Sequence, residues 1–211
     1  MRVEQLRPHL WRWTAQHPDW TSDVESWGPD VASVAVVGDE LVLIDPLVPT
    51  GPDRERFWAA LDRDAAGHGP PKIVLTVPWH ARSTADILRR YDGAELWLSE
   101  AAEETGLEPA SRFAPTDELP GGLRAYRTAW YGEVELWIPA QQTLVTGDVL
   151  LGSGGGGLNV CPDSWLGDVR RTDLIATLQP LLELPVEIVI PTHGDPVLGD
   201  GAQALRRALA A

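Results

Sequence analysis

The segment from residue 73 to 84 constrains the fold most, because it predicts a buried strand, a tight loop and a helix start in direct succession. Residues 73–77 (Ile-Val-Leu-Thr-Val) are the apolar, β-branched residues typical of a strand. Pro78 ends this strand because proline has no N–H to donate. Ser83 is predicted to cap the helix that follows. Active sites of α/β sheets lie at such carboxyl ends of strands, so the loop at 79–82 is the first candidate site.

The same reading along the whole chain predicts alternating strands and helices. Further strands are expected at 8–14, 31–37, 41–44, 95–98, 123–128, 132–138, 143–146 and 186–190. Helices are expected at 52–66, from 84 or 85, at 100–106 after a Ser99 cap, at 172–182 after a Thr172 cap, and at 201–209. The glycine-rich run 152–157 predicts a flexible connection or a mobile lid. Periodicity alone leaves α/β and α+β open.

Composition excludes several functional classes. The net charge of -14 disfavours nucleic-acid binding, which needs clustered cations. No apolar run approaches the ~20 residues needed to span a bilayer, and the first residues lack the apolar stretch of a signal peptide. We therefore expect a cytoplasmic protein with no membrane partner. A single cysteine, Cys161, excludes an internal disulfide. The 211 residues show no linker, so residues 1–211 are expected to form one domain.

The loop after the strand at 73–77 resembles the signature Thr-His-x-His-x-Asp-His of the metallo-β-lactamase superfamily. Aligned on Thr76, the four ligand positions of that signature are occupied by Val77, Trp79, Ala81 and Arg82. None of these residues is the ligand that the family uses. The resemblance therefore implies a metal-dependent hydrolase scaffold with a degenerate metal site.

Four more segments resemble motifs of the same superfamily, in the same order. They are Leu43–Asp45, Thr128–Gly132, Leu144–Asp148 and Ile190–Gly194. The resemblance implies a supporting role for Asp45, a metal-bridging role for Asp148 and a metal-binding role for His193; in the second segment Ala129 replaces a histidine. The fold that the resemblance implies is α+β, a four-layer αββα sandwich with two mixed sheets and helices outside.

The remaining polar residues permit two opposite interpretations of the site. Asp148, His193 and His80 could bind one zinc or another divalent metal, since two histidines and a carboxylate form a known ligand set. His80, however, lies one residue from the usual ligand position, so the absence of any cofactor is the first expectation. In a metal-free pocket, Arg82 could neutralise Asp148 through a bidentate ion pair. The catalytic candidates are therefore Asp148, His193, His80 and Arg82.

Three functions therefore remain open. The first is a metal-independent protein that binds a small molecule in a pocket which Asp45, Trp79, Trp130 and Tyr131 also line. The second is a mononuclear metal-dependent hydrolase of esters, thioesters or lactones, a substrate range that the family resemblance implies. The third is a non-catalytic structural or interaction protein, with a homodimer as one form. Whether the protein is an enzyme is left undecided at this point.

Overall fold

The first sheet has seven strands whose spatial order follows the sequence. The computed structural model describes residues 1–23, 27–102 and 105–210. The strands are β1 (Arg2–Arg7), β2 (Leu10–Gln16), β3 (Asp30–Val37), β4 (Leu41–Ile44), β5 (Lys72–Val74), β6 (Glu95–Ser99) and β7 (Ser111–Phe113). Strands β1 to β4 pair antiparallel, whereas β4 to β7 pair parallel. The carboxyl ends of β4, β5 and β6 therefore lie at one edge of the sheet.

The second sheet has five strands and brings distant parts of the sequence together. Its order is β14 (Val197–Leu198), β13 (Ile188–Pro191), β10 (Thr143–Thr146), β9 (Val134–Ile138) and β8 (Arg124–Arg127). Strands β10 and β13 are parallel, and Thr146 pairs with Pro191 at their carboxyl ends. The residues that follow these two strands are consequently neighbours. A separate hairpin consists of β11 (Leu150–Gly152) and β12 (Leu158–Val160).

The helices cover the outer faces of both sheets. They are α1 (Asp53–His68), α2 (Thr84–Arg90), α3 (Arg171–Leu178) and α4 (Gly201–Ala210). Alternate residues of β4 show the layering: Ile44 packs between the sheets with Val134, whereas Leu43 packs outward with Phe57 of α1. Outside the second sheet, Trp137 joins a core that contains residues of α3 and α4. The αββα sandwich is confirmed, and burial on both faces explains the continuous apolar strands.

Several local predictions were wrong. β1 and β7 were not predicted, and the strand predicted at 73–77 ends at Val74. No helix is present among residues 100–102 and 105–106, which form turns and irregular backbone; residues 103–104 lie outside the described residues. The run 152–157 connects the two strands of the β11–β12 hairpin. None of the helices that the structure describes is long and apolar enough to cross a bilayer.

Ser83 occupies the predicted N-cap position of α2, but its side chain has a different role, and the caps predicted at Ser99 and Thr172 were wrong. The Ser83 hydroxyl accepts a hydrogen bond from the amide of Val48 at 2.9 Å and makes no cap contact with α2. It therefore attaches the start of α2 to the segment after β4. Helix α3 begins at Arg171, so Thr172 is already inside the helix.

Two glycines form a direct backbone contact between the β11 hairpin and the loop after β13. The amide of Gly152 donates to the carbonyl of His193 at 2.9 Å. A Cβ atom on Gly152 would lie 2.6 Å from the amide nitrogen of Asp195 and 2.9 Å from the carbonyl carbon of Gly194. Only glycine permits this approach, so the contact fixes the backbone position of His193.

We expect Gly152→Ala to lower the free energy of unfolding by about 1–3 kcal/mol, because backbone atoms must move to admit the methyl group. Urea unfolding measures the effect. Gly67→Ala is the matched control: Gly67 lies inside α1 with open space around it. Alanine there should be neutral or stabilise by up to about 1 kcal/mol. Equal stability of Gly152→Ala and the parent chain would contradict the close contact.

Candidate metal centre

Three strand ends supply the polar side chains of the candidate site. His80 lies in a short helical turn, Pro78–Ala81, that follows β5. Asp148 follows β10, and His193 follows β13. Because β10 and β13 are parallel neighbours, Asp148 and His193 lie close together. His80 comes from the first sheet and contacts Asp148 across the sandwich. The structure therefore brings together the three residues that the sequence predicted as metal ligands.

The donor atoms of these residues converge on one point. Oδ1 of Asp148 lies 3.3 Å from Nε2 of His80 and 3.3 Å from Nε2 of His193. All three donor atoms lie within 4.8 Å of one another. Oδ1 is buried, yet neither contact has the geometry of a hydrogen bond. A buried carboxylate oxygen without a hydrogen bond is costly unless another group satisfies it.

Asp45 holds His80 in this orientation. Its carboxylate accepts hydrogen bonds from the amide of Thr76 at 2.9 Å and from the Thr76 hydroxyl. It also contacts Nδ1 of His80 at 2.9 Å. With Nδ1 donating to Asp45, Nε2 of His80 faces Asp148. Carboxylates fix metal-binding histidines in the same manner.

Trp79 is hydrogen-bonded to Oδ2, the other carboxylate oxygen of Asp148. Its indole N–H donates to Oδ2 at 2.7 Å, so only Oδ1 remains for another partner. The indole is 47% exposed and lies at the mouth of the cavity, where its ring packs edge-on against Trp130 at 5.2 Å. Trp79 therefore does not fill the space between the three donor atoms.

Arg82 does not form the ion pair with Asp148 that was expected. Its guanidinium donates from Nη1 to the backbone carbonyls of Ala32 at 2.9 Å and Asp45 at 3.0 Å. The side chains that lie next to Oδ1 of Asp148 are the two imidazoles instead. Arg82 has a φ of 38° and Asp45 a φ of 47°, a region that costs free energy for residues other than glycine. Such backbone strain is typical of functional sites.

Asp148 and His80 stabilise each other's charged forms. Burial acts to raise the pKa of Asp148, but the neighbouring His80 and His193 hold that pKa well below its usual range. Burial and the charge of Arg82 act to lower the pKa of His80, yet the carboxylates of Asp148 and Asp45 raise it overall. Asp148 is therefore ionised at neutral pH and available as a ligand.

Two buried glutamates beneath Asp148 were missed by the sequence analysis. Both side chains are fully buried, although Glu133 and Glu135 alternate with apolar residues as if they faced solvent. The carboxyl of Glu133 accepts hydrogen bonds from the amides of Asp148 at 3.0 Å and Val149 at 3.0 Å. It also occupies the space where a Cβ of Gly147 would lie. Glu133 thus fixes the turn that presents Asp148.

A cavity of about 400 Å³ lies above the three donor atoms. Trp79 and Trp130, both predicted as pocket residues, line it together with Arg82. Tyr131 does not: it is 46% exposed and packs beside the Trp130 ring at 5.4 Å. Five lining residues were not predicted as such: His17, Asp19, Trp27, Val31 and Trp165. His17, Asp19 and Trp27 lie between β2 and β3, Val31 lies in β3, and Trp165 lies in a short helical turn, so none of them belongs to the segments that indicated the site.

Comparison with solved structures places this geometry in a known fold. The metallo-β-lactamase DIM-1 aligns over 99% of this chain and 95% of its own, with a TM-score of 0.72 and 15% identity. A metallo-β-lactamase from Pontibacter korlensis aligns over 99% and 97%, with a TM-score of 0.71 and 19% identity. The protein has the metallo-β-lactamase fold. No protein-family model matches the sequence, and no curated protein is significantly similar to it.

A metallo-β-lactamase family protein from Thermus thermophilus aligns over 98% of this chain and 80% of its own, with a TM-score of 0.69 and 16% identity. Identities this low establish the fold and not the activity. Within that fold, this chain retains a group of three residues able to hold a metal. The expected loss of the metal site is therefore not confirmed.

The buried glutamates predict a pH dependence of stability. Burial raises the pKa of Glu135 well above its ordinary value of 4.5. A pKa raised on folding gives a stability contribution that is full below 4.5 and is lost as the pH rises toward the folded-state pKa. We expect Glu135→Gln to flatten the slope of unfolding free energy against pH by about 1.4 kcal/mol per pH unit above pH 5.

Urea unfolding at several pH values between 5 and 8 measures this slope. Glu118→Gln, at an exposed position, is the control and should retain the slope of the parent protein. A slope that is identical in Glu135→Gln and the parent would show that Glu135 is not protonated in the folded state.

Proposed function

We propose that the protein is a mononuclear metal-dependent hydrolase in which His80, Asp148 and His193 bind one divalent cation. The observation that carries the proposal is the buried Oδ1 of Asp148, which lies 3.3 Å from two imidazole nitrogens and forms no hydrogen bond. A cation between the three atoms would satisfy all of them at once.

The donor spacing fits a small divalent cation. Zinc bonds to nitrogen and oxygen of about 2.0–2.1 Å would give a tetrahedron with edges of about 3.3–3.4 Å, which matches the 3.3 Å between Oδ1 of Asp148 and each histidine nitrogen. Catalytic zinc takes three protein ligands and keeps a fourth position open. Two histidines and one carboxylate are also a known set for catalytic metals. The ligand count therefore supports a catalytic site rather than a closed structural one.

The protein's own residues would prepare this centre for one cation. Asp45 keeps His80 in the tautomer whose Nε2 is free to coordinate. The Trp79 N–H holds Oδ2 of Asp148, which leaves Oδ1 as the oxygen that faces the two imidazoles. Glu133 and the Gly152 contact fix the backbones that carry Asp148 and His193.

A bound divalent cation would lower the pKa of a coordinated water to about 7 and polarise a substrate carbonyl. The reaction class we infer is hydrolysis of an ester, thioester or lactone. Its support is the fold, together with the open cavity above the donor atoms.

A second candidate is metal-independent binding of a small molecule in the same cavity. The specific observation in its favour is that Arg82, a fixed cation, lines the cavity and has an unpartnered Nε. In that case His80 would be protonated in the resting protein, as its raised pKa favours, and its charge would pair with Asp148. Metal content separates the two candidates.

The deciding measurement is metal per chain by elemental mass spectrometry, on protein purified without a histidine tag, before and after zinc loading. We expect one equivalent, and its loss in His193→Ala. His68→Ala is the control, because His68 is an exposed histidine at the end of α1. Less than a tenth of an equivalent after loading would overturn the hydrolase proposal and favour metal-independent binding.

The contact between Trp79 and Asp148 gives a further prediction. Trp79→Phe keeps an aromatic ring but removes the N–H that holds Oδ2, so we expect zinc affinity to fall about 10–100-fold, the range for residues that orient metal ligands. Competition with a chromophoric zinc chelator measures this affinity. Trp11→Phe, on the exposed side of β2, should bind zinc like the parent. Unchanged affinity in Trp79→Phe would show that the N–H does not orient the ligand.

A further inference from the structure

Four tryptophans form the walls of the cavity above the candidate metal centre. They are Trp27, Trp79, Trp130 and Trp165, contributed by four separate segments of the chain. The Trp27 ring lies 5.1 Å from the ring of His193, and the Trp165 ring lies 6.4 Å from it on an edge-on approach. The aromatic wall therefore extends directly from the donor atoms.

Hydrogen bonds from their indole N–H groups fix the rings of Trp130 and Trp79. Trp130 donates to the carbonyl of Trp165 at 3.1 Å, and Trp79 donates to Asp148. Both N–H groups are thus used within the protein. What these rings offer a ligand is apolar π surface in a fixed orientation, which favours flat aromatic groups over flexible chains.

Charge restricts the ligand further. Arg82 lines the cavity, and its guanidinium donates to the backbone carbonyls of Ala32 and Asp45 rather than to a carboxylate. Of the two carboxylates in the lining, Asp148 contacts two imidazoles, and Asp19 is exposed to solvent, which screens its charge. A cationic ligand is therefore disfavoured, and a neutral or anionic one is favoured.

We propose that the cavity accepts a neutral or anionic carboxylic ester or lactone whose apolar part is a flat aromatic ring. The ring lies between the tryptophan walls, and the carbonyl faces His80, Asp148 and His193. This substrate class rests on the proposed hydrolase function. In the reaction, water adds to the carbonyl carbon and the acyl C–O bond breaks. The carboxylic acid and the alcohol leave, and one proton of the water passes to the leaving oxygen.

The ring preference is tested separately from hydrolysis with three probes that need no metal. Calorimetry compares 2-naphthamide with octanamide, which carry the same neutral head, and with 2-naphthylmethylammonium, which carries the same ring on a cation. We expect 2-naphthamide to bind about tenfold or more tightly than either, since several aromatic contacts add to the area buried. Measurements on metal-free and zinc-loaded protein should agree in this order.

Matched variants locate the probe. Trp27→Leu and Trp165→Leu should each weaken 2-naphthamide binding about tenfold, and Trp11→Leu, outside the cavity, should not change it. The zinc-loaded protein should then hydrolyse methyl 2-naphthoate with a higher kcat/KM than methyl octanoate. Trp27→Leu should remove that preference by raising KM while kcat changes little.

The two proposals fail in different ways. Tight binding of 2-naphthamide by a protein that takes up no zinc would keep the aromatic site and overturn the hydrolase function. Zinc uptake with equal affinities for 2-naphthamide and octanamide would keep the metal centre and overturn the aromatic site. Tighter binding of the cationic probe, or unchanged binding in both tryptophan variants, would also overturn it.

Discussion

The arrangement of the whole site depends on one buried carboxylate, that of Asp45. Asp45 lies directly after β4 with a left-handed backbone conformation. Its carboxylate accepts hydrogen bonds from the amide and the hydroxyl of Thr76 and contacts Nδ1 of His80. A buried charge is tolerated only when it is fully paired, so these partners must all be in place. Asp45 therefore ties the ends of two parallel strands to the orientation of the imidazole that faces the second sheet.

The fold and the candidate ligands could be predicted from sequence because five segments resemble motifs of the metallo-β-lactamase superfamily, each at the end of a predicted strand. Periodicity alone left α/β and α+β open; it located the strand ends that His80, Asp148 and His193 follow. Glu133 and Glu135 could not be predicted in the same way. Their alternation with Val134 and Leu136 is typical of a strand with one solvated face, and only the tertiary packing of the hairpin and helices over that face buries them. β1 was missed because its polar residues give an edge strand little apolar pattern.

The loop after β5 shows how one scaffold can carry a different centre. The residues at the positions that resemble the family's ligands do not coordinate; Trp79 donates a hydrogen bond to Asp148 and Arg82 binds backbone carbonyls. The helical turn at Pro78–Ala81 points His80 inward instead, one residue from the expected position. An extended loop would point adjacent residues in different directions, so the one-residue shift of His80 counted against a metal site, and this turn was not anticipated.

The parallel pairing of β10 with β13 has a consequence for the order of folding. Asp45 and His80 belong to the first sheet, whereas His193 follows a strand near the far end of the sequence. Pairings between segments distant in sequence form late, because the entropy of closing the loop is lost before the stabilising contacts form. During synthesis the first sheet can assemble while the third donor is still absent. A metal bound by all three residues would therefore require a chain that has finished folding, and such a centre would report the integrity of the entire sandwich.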